Sequence, residues 1–183
     1  MSLTDLLRRL LSVEGEYRLR MLYIHPERFP RDLLELCRSD HRLLPYFDLP
    51  MQHADTGVLT GMNRSGTGEE YITLVEEIRA AVPEAVLRTS LLVGFPGEDE
   101  ESFERLLEFQ ERAAFDWLGV FTYSPEEQTL AHHRHGDFVE PEANTRRERL
   151  EAAQLPITYR RLDRFIGETM EVLIEEEVEG EEL

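Results

Sequence analysis

Short apolar runs alternate with amphipathic segments along most of this chain. The runs that predict strands are residues 18–24, 43–49, 86–93 and 116–122. The segments around them repeat apolar residues every three to four positions and predict helices at about 2–11, 30–39, 58–62, 67–82 and 100–114. Strands and helices in this order are joined by crossovers, so the pattern predicts a parallel α/β sheet or part of an α/β barrel.

The turn after the strand at 86–93 is the stretch where we expect function to be concentrated. The strand ends in three apolar residues, typical of a strand covered on both faces. The turn has the sequence Gly94-Phe95-Pro96-Gly97-Glu98. Its glycines allow positive φ and close approach to a ligand, and ligands of parallel α/β folds bind where strands end. An ordinary strand-to-helix loop explains the same residues equally well.

Polar residues also follow two of the other predicted strands. Gln52 and His53 come after the second strand, and Tyr123 and Ser124 come after the fourth. Because the carboxyl ends of parallel strands meet at one edge of a sheet, we expect these residues and Glu98 to converge on a polar cofactor. A lone histidine such as His53 is, however, more often a hydrogen-bonded structural residue than a catalyst.

The end of the chain predicts one long charged helix and a piece of a second domain. The helix is expected at about 142–166, with a kink or break near Pro156. The arginines expected on its solvent-exposed face are Arg146, Arg147 and Arg149. Residues 168–174 predict one further strand, followed by a mostly acidic tail. A single strand does not form a domain, so we expect the start of a domain that is cut short.

Few residues suit a metal site. His132, His133 and His135 lie in a polar segment without flanking partner ligands, which favours a solvated loop over a metal centre. The single cysteine, Cys37, excludes an internal disulfide and any all-cysteine site. Its place on a predicted helix favours a buried structural role over a reactive thiol.

Composition places the chain among globular proteins and narrows its partners. At 183 residues with 41% hydrophobic content, the chain has room for one sizeable core. No stretch approaches the roughly 20 apolar residues that span a bilayer, so we expect a cytoplasmic protein without a membrane partner. The net charge is −18 and every basic residue except histidine is arginine, which disfavours strong nucleic-acid binding.

Three segments resemble the methylthiotransferase family of radical S-adenosylmethionine (SAM) enzymes. They are residues 44–53, 88–98 and 119–127. Within that family the first segment, LPYFDLPMQH, is most similar to the RimO branch, which modifies an aspartate of a small-subunit ribosomal protein. The tRNA-modifying MiaB type usually has a different sequence around the glutamine. The resemblance extends from the first helix to the last predicted strand.

The resemblance implies both a fold and a missing part. Residues 1–166 would be the C-terminal part of a radical SAM barrel, a partial TIM-like (βα) barrel, and residues 167–183 the start of a truncated TRAM β-domain. Relatives bind a radical-generating [4Fe-4S] cluster through a C-x-x-x-C-x-x-C loop in an earlier part of the barrel, and Cys37 does not replace three thiolates. We therefore expect a fragment that is inactive without the N-terminal half of the enzyme.

By resemblance, this chain retains one wall of the SAM site. The residues implied to line it are Gln52, His53, Gly94, Phe95, Pro96, Gly97 and Glu98, with Phe121, Tyr123 and Ser124 near the adenine end. The chain departs from relatives at 127–131, where Glu-Gln-Thr-Leu-Ala replaces Glu-Gly-Thr-Pro-Ala and loses two turn-forming residues.

Three functions follow as hypotheses. The first is part of an aspartate methylthiotransferase whose partner is a small-subunit ribosomal protein. The second is a tRNA methylthiotransferase, which the acidic charge disfavours. The third is a non-catalytic module that binds SAM or a partner. The strand edges of an incomplete barrel also lead us to expect self-association.

Overall fold

Four parallel strands form the centre of the molecule. A computed structural model describes residues 2–126 and 139–172. Its strands are β1 (Leu19–Met21), β2 (Leu43–Asp48), β3 (Val86–Val93) and β4 (Trp117–Thr122). They lie side by side in the order β1-β2-β3-β4, and every pair is parallel. This sequential order is that of an arc of a (βα) barrel, so the predicted parallel α/β fold is confirmed.

Within the described residues, six α-helices connect and flank the strands. They are α1 (Leu3–Leu11), α2 (Asp32–Ser39), α3 (Thr56–Gly61), α4 (Gly68–Ala81), α5 (Glu100–Ala113) and α6 (Glu140–Leu162), with short 3-10 helices at Pro26–Arg28 and Asp163–Phe165. The capping boxes at Ser2, Thr67 and Asp99 start α1, α4 and α5, because each side chain accepts a hydrogen bond from the first helical turn.

The two faces of the sheet differ in polarity. Completely buried side chains on the helix-covered face include Leu43, Phe47, Leu87 and Leu91. On the opposite face, which lines the interior of a barrel, Arg88 Nη1 donates to Asp48 Oδ1 at 2.8 Å. Trp117 lies next to Arg88 on this face and is 47% exposed. The expectation that β3 is covered on both faces is therefore fully met on the helix side, whereas on the other face Ser90 is buried and Arg88 and Leu92 are half-buried.

Helix α6 differs from its prediction. It runs from Glu140 to Leu162 without a break at Pro156. Leu150 and Ile157 are completely buried, and Gln154 donates through Nε2 to the Phe115 carbonyl at 2.8 Å. This packing on both sides of Pro156 holds a helix that the proline, at a cost of about 3 kcal/mol, disfavours.

The amino ends of β3 and β4 are fixed by a buried carboxylate. Asp116, just before β4, accepts from the Leu87 backbone N–H at 2.8 Å. It also accepts from Arg161 Nε at 3.2 Å and from Arg164 Nη1. The end of α6 and the residues beyond it are thereby joined to the amino edge of the sheet, opposite the predicted site.

Other predictions of the sequence fall at or beyond the limits of the described residues. Residues 168–172 contain no strand, and the rest of the strand predicted at 168–174 lies outside the described residues, as do the acidic tail and the three histidines at 132, 133 and 135. The start of a TRAM domain therefore stays a prediction. In the described ranges, no helix combines the length and apolar character needed to cross a bilayer.

Candidate functional site

Gln52 extends the carboxyl end of β2 along β3. Its backbone N–H donates to the Ser90 carbonyl at 2.9 Å, and its carbonyl accepts from the Leu92 N–H at 2.7 Å. Gln52 has a φ of 70°, in the left-handed region that side chains other than glycine rarely adopt. The strained backbone holds the half-buried amide at the carboxyl edge of the sheet, as the sequence predicted.

His53 is completely buried and neutral. Its Nδ1 accepts from the Asp55 backbone N–H at 3.0 Å, so the proton of the neutral ring is on Nε2. Among the described residues Nε2 has no hydrogen-bond partner, and Glu98 Oε2 lies 3.8 Å away. Burial lowers the pKa of His53 to about 4, because the charged ring loses its hydration.

Glu98 closes the turn that follows β3. Its side chain is buried, and Oε2 accepts from the Gly94 N–H at 2.9 Å while Oε1 accepts from Arg146 Nη1 at 3.0 Å. Burial raises the pKa of Glu98 to about 7, and this effect exceeds the opposing effects of Arg146 and the backbone N–H groups. The carboxylate thus fixes the start of the turn through Gly94.

Arg146 corrects the prediction of an entirely exposed arginine face on α6. Its side chain is 6% exposed, whereas those of Arg147 and Arg149 are 39% and 41% exposed. Arg146 also contacts the Phe103 ring, with 5.4 Å between Cζ and the ring centroid. A sequence signal for this burial exists, because Arg146 lies three residues after Ala143 and four before Leu150, both of which are buried.

The turn itself has the conformation that its glycines predict. Gly94 and Gly97 have φ values of 76° and 95°. A Cβ on Gly97 would meet no atom of the described residues within 4 Å, so this part of the turn is open in the described structure. Phe95 and Tyr123 are buried and pack edge to face, with ring centroids 5.3 Å apart. These two aromatic residues therefore support the turn by packing.

The remaining predicted residues differ in exposure. Pro96 is buried inside the turn, whereas Ser124 is exposed and Phe121 is 55% exposed on β4. Cavities of about 340, 570 and 400 Å³ lie elsewhere on the described surface, and a cavity of about 20 Å³ beside Glu98 and Arg146 is too small for a cofactor. The exposed candidate residues, Gly97, Phe121 and Ser124, thus lie at an open edge of the sheet, whereas most of the other candidate residues are buried behind it.

The donor groups at this edge fit SAM but not an iron–sulfur cluster. SAM has an amino-acid end, a ribose and a flat base, which match an open glycine turn, the Gln52 amide and the exposed Phe121 ring. A cluster needs accessible thiolates, yet Cys37 is buried in α2, and burial raises its pKa to about 11. In the described part of the chain, no group of three or more metal-ligand side chains occurs.

Comparison with known proteins gives consistent results. Residues 2–109 match the family model of the Radical SAM superfamily. The chain is 42% identical over 177 residues to the ribosomal protein uS12 methylthiotransferase RimO of Pseudothermotoga lettingae, covering 97% of this chain and 41% of that protein. It is 39% identical to the RimO of Treponema denticola, with coverages of 97% and 39%. The chain spans about two-fifths of the length of these relatives.

A solved structure supports the fold. Coproporphyrinogen III oxidase (HemN) from Escherichia coli, described as a radical SAM enzyme, matches with a TM-score of 0.61. The match covers 90% of this chain and 38% of the other, at 20% sequence identity, and therefore shows a shared fold alone. Because the family model covers more than half of the chain, this protein belongs to the radical SAM superfamily, and its sequence matches the C-terminal part of RimO methylthiotransferases.

Proposed function

We propose that this chain forms one wall of the SAM site of a methylthiotransferase that modifies an aspartate of the small-subunit ribosomal protein uS12. The observation that carries the proposal is the buried Glu98 carboxylate, which joins the glycine turn after β3 to Arg146 and lies beside His53. Burying three ionisable side chains at a strand end is costly, and such groups are typical of functional sites.

Each residue of the wall has a separate task in this proposal. Gly97 leaves space for the cofactor beside the turn, and Glu98 holds the turn through the Gly94 N–H. The amide of Gln52 is available to the polar groups of the cofactor. The exposed ring of Phe121 offers a flat surface to the adenine. Tyr123 acts indirectly, by packing on Phe95.

Radical chemistry requires parts that this chain does not supply. In this family SAM is the radical precursor and a [4Fe-4S] cluster is its reductant, but the only cysteine is the buried Cys37. We therefore expect the chain alone to bind SAM without turnover, and to need an N-terminal half with cluster ligands for activity. The same observation supports the alternative of a non-catalytic SAM-binding module.

The first test is SAM binding by isothermal titration calorimetry to the wild-type chain and to Gly97→Val. A valine at a φ of 95° is strained and occupies the open space of the turn, so we expect affinity to fall about tenfold or more. Gly167→Val is the matched control, because Gly167 also has positive φ and open space but follows α6. Equal affinities for all three proteins, or no binding by the wild type, would contradict the proposal.

The second test concerns the chemistry and the substrate. The chain is compared with a version joined to a cysteine-bearing N-terminal half of a RimO protein, using anaerobic iron and sulfide analysis. We expect a cluster only in the joined protein, and only that protein should methylthiolate uS12 peptide, as measured by mass spectrometry. A stoichiometric cluster in this chain alone would contradict the assignment, and modification of tRNA instead of uS12 would favour the MiaB type.

A further inference from the structure

Two bulky residues have unusual backbone conformations at the carboxyl edge of the sheet. The described residues other than glycine with positive φ are Tyr23 (57°), Gln52 (70°), Asn63 (59°) and Ala114 (46°). Asn63 and Ala114 follow helices α3 and α5, where a left-handed residue is a common helix ending. Tyr23 and Gln52 instead follow strands β1 and β2. Their conformations thus lack an ordinary explanation.

A positive φ is more unusual for Tyr23 than for Gln52, because the side chain of Tyr23 is the bulkier. A bulky aromatic residue with positive φ is an outlier, and glycine would adopt the same conformation without strain. Glycine is used directly after β3, where Gly94 has a φ of 76°. The chain therefore keeps a tyrosine where the backbone favours glycine, which points to a task for the side chain.

The backbone of Tyr23 is held in place by the neighbouring strand. Its N–H donates to Asp48 Oδ2 at 3.3 Å, and the next N–H, of Ile24, donates to the Asp48 carbonyl at 2.8 Å. Asp48 itself is buried and paired with Arg88 at 2.8 Å. The fold thus fixes the strained residue firmly at the end of β1.

The ring of Tyr23 contributes little to the core. It is 72% exposed, and the preceding Leu22 is 51% exposed, whereas Met21 and Ile24 are 7% and 6% exposed. Within residues 2–126 and 139–172, five arginine–aromatic contacts occur, on the rings of Tyr17, Tyr46, Phe103 and Phe165. Tyr23 takes part in none of these five contacts. An exposed aromatic face at the edge of the site is suited to a cationic ligand group.

We propose that the Tyr23 ring contacts the cationic methionyl end of SAM, through its sulfonium group. The inference rests on the proposed function, in which adenine lies near Phe121 on β4. A cofactor whose adenine lies against β4 and which crosses β3 and β2 extends toward β1, the next strand of the sheet, where Tyr23 lies beside Asp48 of β2. Tyr23 is the exposed aromatic residue at that end.

The test compares SAM with S-adenosylhomocysteine, which has the same base, ribose and amino acid but a neutral thioether in place of the sulfonium. Tyr23→Leu removes the aromatic face and keeps a large side chain. We expect it to weaken SAM binding about three- to thirtyfold and S-adenosylhomocysteine binding much less, by calorimetry. Tyr23→Phe keeps the aromatic face and should bind both ligands like the wild type.

A second measurement separates a ligand contact from a structural role. Tyr23→Gly relieves the backbone strain, so we expect its thermal midpoint to rise by about 2–4 °C while SAM binding weakens as in Tyr23→Leu. Ala114→Gly is the matched control, because it relieves a left-handed residue near the opposite edge of the sheet. It should raise the midpoint without changing affinity.

The outcomes are distinct from those of the proposed function. Equal losses of affinity for both ligands in Tyr23→Leu, or unchanged SAM affinity, would overturn the role of Tyr23 while the wild-type affinity for SAM still supports the site. A lower thermal midpoint for Tyr23→Gly would show that the ring stabilises the fold and would overturn the inference too. A wild-type chain that binds neither ligand would overturn the proposed function and this inference with it.

Discussion

At the scale of single residues, His53 and Glu98 form a buried pair whose pKa values are displaced in opposite directions. Burial lowers the pKa of His53 to about 4 and raises that of Glu98 to about 7. Both groups lose charge on burial, and the 3.8 Å between Nε2 and Oε2 is too long for a direct hydrogen bond. Because both pKa values differ between the folded and unfolded states, the unfolding free energy depends on pH through these two residues.

The signs of the two pKa shifts predict opposite effects on stability. Glu98 stabilises the fold fully below about pH 4.5 and loses that contribution as the pH rises to about 7. His53 stabilises fully above about pH 6.5 and loses its contribution as the pH falls to about 4. In the wild type, the contributions of Glu98 and His53 to the unfolding free energy change with pH in opposite directions and cancel between about pH 4.5 and 6.5. Relative to the wild type, the unfolding free energy of Glu98→Gln should rise by about 3 kcal/mol from pH 4.5 to 7.

Urea unfolding at half-unit steps of pH measures this difference. His53→Gln supplies the opposite control, because its unfolding free energy relative to the wild type should fall by about 3 kcal/mol between pH 4 and 6.5. Curves that run parallel to the wild type for both variants would show that neither pKa is displaced in the folded state.

The sequence placed several candidate residues correctly in the fold, and its two failures have separate physical causes. Gln52, His53 and Glu98 were placed correctly at strand ends, because the direction of parallel strands follows from the order of elements. Arg146 was wrongly assigned to the solvent face, since charge alone suggests exposure and burial depends on how α6 packs. The left-handed conformation of Tyr23 had no sequence signal, because tyrosine favours strands.

At the scale of elements, α6 is joined to the site by a side chain rather than by the backbone. Arg146 links the first half of α6 to the turn after β3 through Glu98, with 3.0 Å between Nη1 and Oε1. Further along α6, Gln154 donates through Nε2 to the carbonyl of Phe115, just before β4. The helix continues through Pro156 because Leu150 before it and Ile157 after it are both completely buried, which sequence propensity alone did not predict.

Removing Arg146 is expected to destabilise the protein strongly. Arg146→Ala leaves the buried Glu98 carboxylate without its cation, so the unfolding free energy at pH 8 should fall by about 3–5 kcal/mol. Arg147→Ala, one residue along the same helix, removes a side chain that is 39% exposed and should change stability by about 0.5 kcal/mol or less. Urea unfolding of the two variants makes the comparison.

A double variant isolates the interaction between the helix and the turn. Arg146→Met combined with Glu98→Gln removes both charges, and we expect it to be more stable than the sum of the two single changes predicts. Strict additivity, or equal losses for Arg146→Ala and Arg147→Ala, would show that the ion pair does not connect α6 to the site.

At the scale of the whole molecule, the net charge opposes self-association, whereas the exposed surface of the sheet favours it. The net charge of −18 repels other copies of the chain. The outer strands of the described sheet are β1 and β4, and unpaired edges of this kind favour association. Trp117 and Phe121 on β4 are 47% and 55% exposed, which adds apolar surface to that edge.

Salt should therefore promote self-association through β4. Raising the ionic strength from about 0.01 M to 0.15 M shortens the screening length from about 30 Å to 8 Å, so repulsion between copies weakens while apolar contact does not. Sedimentation velocity should show faster species at the higher salt, and the emission of Trp117, the single tryptophan, should shift to shorter wavelength as its environment loses water.

The variant Phe121→Arg should suppress both the faster sedimentation and the shift in emission. Val13→Arg adds the same charge at a residue that is 58% exposed beyond α1, and it should suppress neither. A protein that stays monomeric at both salt concentrations, or equal suppression by the two arginines, would contradict association through this edge.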